Sequence, residues 1–290
     1  MTTKSAAAKN QAGSGLPFGI YDSHTHVWAS NRLPNRFTSP AALTESGSAE
    51  GLIKCMDKNG VIKSLVITPM TLGFDNSLTL DVSYRYPGSF LPIVRIDLRC
   101  PNHLEAFREL YAFGAKGLRI NLSHLKTADF LLDSQYSKLW IFLSDEQIPL
   151  FIHCESSQFH IVSQIVSQHS KVKVIIDHMG RISSRDGISA KGFLNLLELS
   201  ESPNVYIKIS STNYFAEVTD SHSDLADYIA LIVQRFSADR LLWGSDWPFS
   251  ENDGTYRSSF EPLLSMDLVD KQRTLEKIFA TNFKDLFQCT

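Results

Sequence analysis

Eight short apolar runs, rich in β-branched residues, recur along the chain, and stretches with helical spacing alternate with them. The runs fall at Gly19–Tyr21, Ser64–Pro69, Phe90–Asp97, Lys116–Asn121, Pro149–Glu155, Lys173–His178, Val205–Ser210 and Leu241–Asp246. Between them His103–Gly114 carries Leu104, Phe107, Leu110 and Tyr111 on one helical face and ends in glycine. Phe193–Ser200 and Leu225–Phe236 repeat the pattern. Strands alternating with helices indicate parallel βαβ units. A doubly wound open sheet shares that alternation. The count of eight, with polar residues closing runs one, four, five, six and eight, favours a single (β/α)8 TIM barrel, whose strand ends converge on one mouth.

The chain has 290 residues, 43% of them hydrophobic, enough for one large barrel domain. Residues 1–16 are small and polar and read as a flexible tail, leaving 17–290 as the domain. The formal charge of −3 is spread without a basic cluster, which argues against nucleic-acid or membrane-surface binding. Four dispersed cysteines, with no C-x-x-C, fit reduced thiols. There is no secretory h-region and no long apolar span, so the expected location is cytoplasmic. Residues 28–50 form a long segment after the first run and are a candidate lid.

Polar residues at the run ends carry the chemistry. His24 and His26 are two apart, so on a strand both imidazoles face the same way; two hydrogen-bonded loop histidines would look identical in sequence. His153 ends the fifth run, where a core histidine is the bland alternative, and Glu155 shares its face while Cys154 points toward the helices. His178 ends the sixth run; Asp177, of opposite parity, is expected to point away from it. Arg181 follows three residues later and is either an anion contact or a surface arginine. Asp246 ends the eighth run as a metal ligand, a general base, or a turn residue before Pro248. Arg119, on the fourth run, needs an anionic partner, either a substrate carboxylate or a structural acid. Of the remaining histidines, His103, His160, His169 and His222 read as background. His124, on the loop after the fourth run, stays a candidate substrate contact.

With these residues placed, the chain resembles the amidohydrolase superfamily, in the branch of the 2-pyrone-4,6-dicarboxylate lactonase and the sugar lactonases. DSHTHVW (Asp22–Trp28), GLRIN (Gly117–Asn121), VIIDHMGR (Val174–Arg181) and LLWGSDWP (Leu241–Pro248) carry the resemblance, which runs from about Gly19 to the C-terminal helix. It implies a lactone hydrolase in which Asp246 is the general base, His24, His26 and His178 polarise the carbonyl, and Arg119 and Arg181 bind a substrate carboxylate. Two departures qualify it. His153 stands where the metal-free pyrone lactonase lacks a histidine, and Leu125 stands where that enzyme has a second basic residue. The first points to the metal-dependent members, decarboxylases included, with one Zn²⁺ or Mn²⁺ held by His24, His26, His153 and Asp246; metal-free operation is the competing expectation. The second weakens the case for a dicarboxylated pyrone. The readings are therefore hydrolysis of a carboxylated or sugar-derived lactone, metal-dependent decarboxylation of a carboxylated ring, and a catalytically inactive binding protein. The expected partner is a small-molecule substrate, and a homo-oligomer is compatible with the sequence.

Overall fold

The computed structural model describes residues 13–28, 47–125, 127–212, 223–251 and 254–289. Its strands are β1 (Ile20–Thr25), β2 (Val61–Ile67), β3 (Phe90–Val94), β4 (Gly117–Asn121), β5 (Leu150–His153), β6 (Val174–Ile176), β7 (Val205–Ile209) and β8 (Leu241–Trp243). They follow one another in chain order in the sheet. Helices occupy the connections, so the architecture is the expected (β/α)8 class. Each expected run overlaps a strand. Most of the strands stop short of the run, because the polar residues that close it have left the ladder and turned into the following loop. Within the expected tail, residues 1–12 lie outside the described part, whereas Ser14 is buried and the Gly13 carbonyl accepts a hydrogen bond from Arg257. Residues 29–46 of the candidate lid also lie outside it.

The chain divides into two compact units. One comprises residues up to Arg95 with those from Leu242 onward. Here β1 pairs in parallel with β2, and β2 with β3. The other side of β1 meets the residues after β8, through a parallel bridge between Thr25 and Trp247. β1 is buried along its whole length. Helix α1 (Ala49–Asn59) starts on the Ser48 hydroxyl, which accepts the Gly51 N–H, and stops at Gly60, whose φ of 72° suits glycine. Trp243 anchors an aromatic cluster with Phe260 and Phe279, both 5.4 Å from it between centroids, and its indole N–H reaches the Ser259 carbonyl.

The second unit runs from Ile96 to Leu241 and holds β4, β5, β6 and β7, paired in parallel in that order. Leu118, Leu150, Phe151, Ile152 and Val174 to Ile176 are fully buried, as expected of strands covered on both faces. Helix α2 (His103–Ala112) turns Leu104 and Phe107 inward while Leu110 and Tyr111 sit at the margin. Among the described residues no helix is long and apolar enough to cross a membrane. Phe107 is fully buried, so Phe107→Ala should cost about 3–5 kcal/mol of stability. The midpoint of a urea unfolding curve should fall accordingly, with an unchanged slope.

Candidate active site

In the first unit, the site is built by β1 and the chain after β8. Strand parity sends Thr25 one way, where its hydroxyl contacts Ser64 Oγ and the Leu65 carbonyl, and His24 and His26 the other. The two imidazole Nε2 atoms lie 3.2 Å apart. Asp246 Oδ1 stands 3.6 Å from the first and 3.5 Å from the second. All three residues are buried. His26 Nδ1 is 2.8 Å from the Ile67 carbonyl oxygen. A carbonyl only accepts, so Nδ1 carries a proton, which leaves Nε2 as the atom that can present a lone pair.

Asp22 fixes this arrangement. Its Oδ1 accepts the backbone N–H groups of His24 and Ser245, each at 2.9 Å. Its Oδ2 accepts the hydroxyls of Ser245 and Tyr256, each at 2.5 Å. The Asp246 N–H in turn donates to the His24 carbonyl at 2.8 Å, and the His26 N–H to that of Trp247 at 2.8 Å. Asp246 has a φ of 59°, a left-handed conformation unusual for a residue with a side chain. Burial pushes the Asp22 carboxyl up to about 6, against the pull of its hydrogen bonds from Ser245, Tyr256 and the backbone.

In the second unit, polar residues gather at the ends of β4, β5, β6 and β7. Arg119 Nε donates to Asp177 Oδ2 at 2.8 Å, and Lys208 Nζ donates to Asp177 Oδ1 at 2.8 Å. All three are buried, Asp177 and Lys208 completely. Asp177 thus points inward, against the parity argument. β6 ends at Ile176, so alternation no longer governs the next residue. From His178 the chain makes consecutive left-handed steps through Met179 and Gly180 to Arg181, with φ between 51° and 65°. His178 Nδ1 lies 2.8 Å from each of the Ser210 and Ser211 hydroxyls, so the end of β7 braces the end of β6. His153 Nδ1 lies 2.8 Å from Asn121 Nδ2. With this amide orientation the ring proton sits on Nε2; turning the amide over moves it to Nδ1. Burial first, then the charges of Arg119 and His178, hold His153 well below the ordinary histidine range, so the ring is neutral. Arg181 Nη1 is 3.5 Å from His153 Nε2, and its Nε lies 3.8 Å from Glu155.

Thus the first unit brings His24, His26 and Asp246 together, and the second groups His153, His178 and Arg181 with Arg119 nearby. Arg119 has a structural acid as a partner. His124 is exposed on the turn after β4. His103 is bound to the Cys100 carbonyl and His160 to Asp129, away from the strand ends. Cys154 is buried, and burial raises its thiol pKa. Sequence reasoning missed Asp22, Ser245 and Tyr256, and also Asn121, Lys208, Ser210 and Ser211. Lys208 had a readable signal, a charge inside the apolar run VYIKI. Asp22 had only its place in DSHTH, because its hydroxyl partners stand more than two hundred residues away.

This fold, with histidines and a carboxylate at strand ends, defines a hydrolase of the amidohydrolase superfamily. The amidohydrolase family model matches residues 21–288, and the chain belongs to that family. It is 25% identical to the 4-sulfomuconolactone hydrolase of Hydrogenophaga intermedia, across 94% of this chain and 89% of that protein. The 2-pyrone-4,6-dicarboxylate hydrolase of Comamonas testosteroni is 23% identical, across 80% of this chain and 78% of its own length. Among solved structures, a zinc-bound amidohydrolase from Burkholderia multivorans superposes with a TM-score of 0.79 at 18% identity, over 93% of this chain and 99% of that one.

Removing one donor from Asp22 tests its place in the network. Tyr256→Phe should lose about 1.5–3 kcal/mol at neutral pH, the usual worth of a hydrogen bond to a charged group. Asp22 binds its proton more readily folded than unfolded, so its contribution to stability declines as pH rises from the ordinary carboxylate range through about 6. The variant, short of a donor to the charged form, should decline more steeply. The gap between variant and wild type in urea titrations should therefore be wider at pH 7.5 than at pH 5; a gap that narrows with pH contradicts this account.

Proposed function

We propose that the chain hydrolyses a lactone that carries a carboxylate or derives from a sugar acid. The observation that carries the reading is the Asp246 carboxylate held against two imidazoles at strand ends. The named activities of the lactone-hydrolysing relatives support it. In the (β/α)8 fold, chemistry sits at the C-terminal strand ends, and both groups of residues stand there. Asp246 takes a proton from water, and the oxygen attacks the lactone carbonyl carbon. His178 stabilises the oxyanion, its ring oriented by Ser210 and Ser211. The ring C–O bond then breaks, and the departing alkoxide receives a proton to leave a hydroxy acid. Arg119 and Arg181 bind the substrate's carboxylate, and His124 contacts its outer edge.

The donor set fits a divalent ion. His24 Nε2, His26 Nε2 and Asp246 Oδ1 lie within 3.2–3.6 Å of one another, and the His26 ring is in the tautomer a ligand needs. His153, kept neutral by its surroundings, is the fourth proposed ligand, with the Asn121 amide turned so that its oxygen accepts Nδ1–H and Nε2 keeps its lone pair. When bound, Zn²⁺ or Mn²⁺ lowers the pKa of water toward about 7. About one metal ion per chain is expected by elemental analysis, with most of it lost in His153→Ala. Full activity after chelation, without stoichiometric metal, would leave His153 as a substrate contact.

A pH-indicator screen of lactones, run beside CO₂ release from aromatic acids, tests the reaction. Lactone opening is expected; CO₂ release alone would make the chain a decarboxylase. Asp246→Asn should lower turnover by more than about 10²-fold with native circular dichroism, since an amide cannot accept the proton. Arg119→Met should raise KM for an anionic lactone by about 10-fold or more. A fall in melting temperature without that rise would make Arg119 purely structural.

A further inference from the structure

We propose that Lys208 sets the preference for anionic over neutral substrates, acting through Asp177 on Arg119 without touching the substrate. The proposal rests on the lactone hydrolysis inferred above and adds a specificity-determining residue to it.

Lys208 lies in β7 and is fully buried. Its ammonium donates to Asp177 Oδ1 at 2.8 Å and sits 4.3 Å from the centre of the Phe151 ring. The other oxygen of Asp177 accepts Arg119 Nε at 2.8 Å. One carboxylate is therefore shared between two cations, and the cluster carries one net positive charge. For stability alone the second cation is a poor choice. An arginine–aspartate pair is already neutral, and bringing a buried ammonium to it costs that ammonium its hydration. An apolar side chain of the same length over Phe151 would serve the core better.

The excess charge acts at Arg119. A lone pair would spend most of the guanidinium's field on Asp177. With Lys208 drawing on the same carboxylate, more of that field extends outward, and in a poorly screened interior it acts over several ångströms. An anionic group binding near Arg119 would be drawn by that field.

The test compares wild type with Lys208→Met on a lactone bearing a ring carboxylate and on its methyl ester. Methionine keeps the length and removes the charge. The expected result is a KM for the carboxylated lactone raised by about 10-fold, with KM for the ester and both kcat values within about 2-fold of wild type. Lys208→Arg keeps the charge and should keep the preference. Equal changes for both substrates in Lys208→Met would reduce Lys208 to a packing residue and overturn the proposal. So would a folded Lys208→Arg that loses the preference, an outcome readable even if Lys208→Met does not fold. Failure of the wild type to open either lactone would count against the proposed function itself.

Discussion

The shared hydrogen bonding of Asp22 is the constraint on which the first unit's chemistry depends. Two backbone N–H groups and two hydroxyls converge on one buried carboxylate, and they come from β1, from the chain after β8 and from Tyr256. His24 and Asp246 are each bonded to it directly or through the preceding residue. Their separation is thus set by bonds to a common centre and not by their own attraction. Such a centre must accept at every contact. Asparagine would turn an N–H₂ toward one of the donor pairs, and a hydrophobic residue would leave four donors unmet, each at a cost of about 1–3 kcal/mol. Burial opposes the charge and shifts the carboxyl to about 6, yet at neutral pH the ionised form is the one that the donors fit.

Backbone conformation supplies the second constraint. His178, Met179, Arg181, Ser211 and Asp246 all have positive φ. Left-handed geometry costs a residue with a Cβ roughly 1–2 kcal/mol, and consecutive occurrences are rare. Here they fall on the segments that present His178 and Asp246. The neighbouring bonds hold these conformations in place, with Ser210 and Ser211 on the His178 ring and the His24 carbonyl on the Asp246 N–H. Strain concentrated at strand ends, with rigid strands behind it, is what a site needs if its groups are to be aimed before substrate arrives.

These two constraints explain what could and could not be read from the sequence. Most of the strands were legible because they are short, largely apolar and buried runs, such as LFIH in β5 and VII in β6, a property local to a few residues. His24 and His26 were legible because two-residue spacing on a strand has one geometric meaning. Parity failed at Asp177 because the strand had already ended, and the boundary of a three-residue strand is not marked in the sequence. The partners of Asp22 were illegible for a different reason. Ser245 and Tyr256 are ordinary polar residues until the fold carries them back to β1. Arg119 was recognisable as a buried cation in need of an acid, but the sequence alone could not choose between substrate and protein as the source.

The charges are also divided by unit. The first unit presents a carboxylate and imidazoles, groups suited to accepting a proton or holding a cation. The second presents Arg119, Lys208 and Arg181 against Asp177 and Glu155, with a neutral His153 between, and is suited to holding an anion. The proposed proton acceptor, Asp246, and the proposed anion contacts, Arg119 and Arg181, therefore lie on different segments of the chain. A substitution in the arginine–aspartate–lysine cluster changes the field that a substrate meets while leaving the four bonds of Asp22 intact. Such separation lets one reaction be kept while its substrates change. It is consistent with relatives, named as hydrolases of different lactones, that match this chain at about a quarter identity.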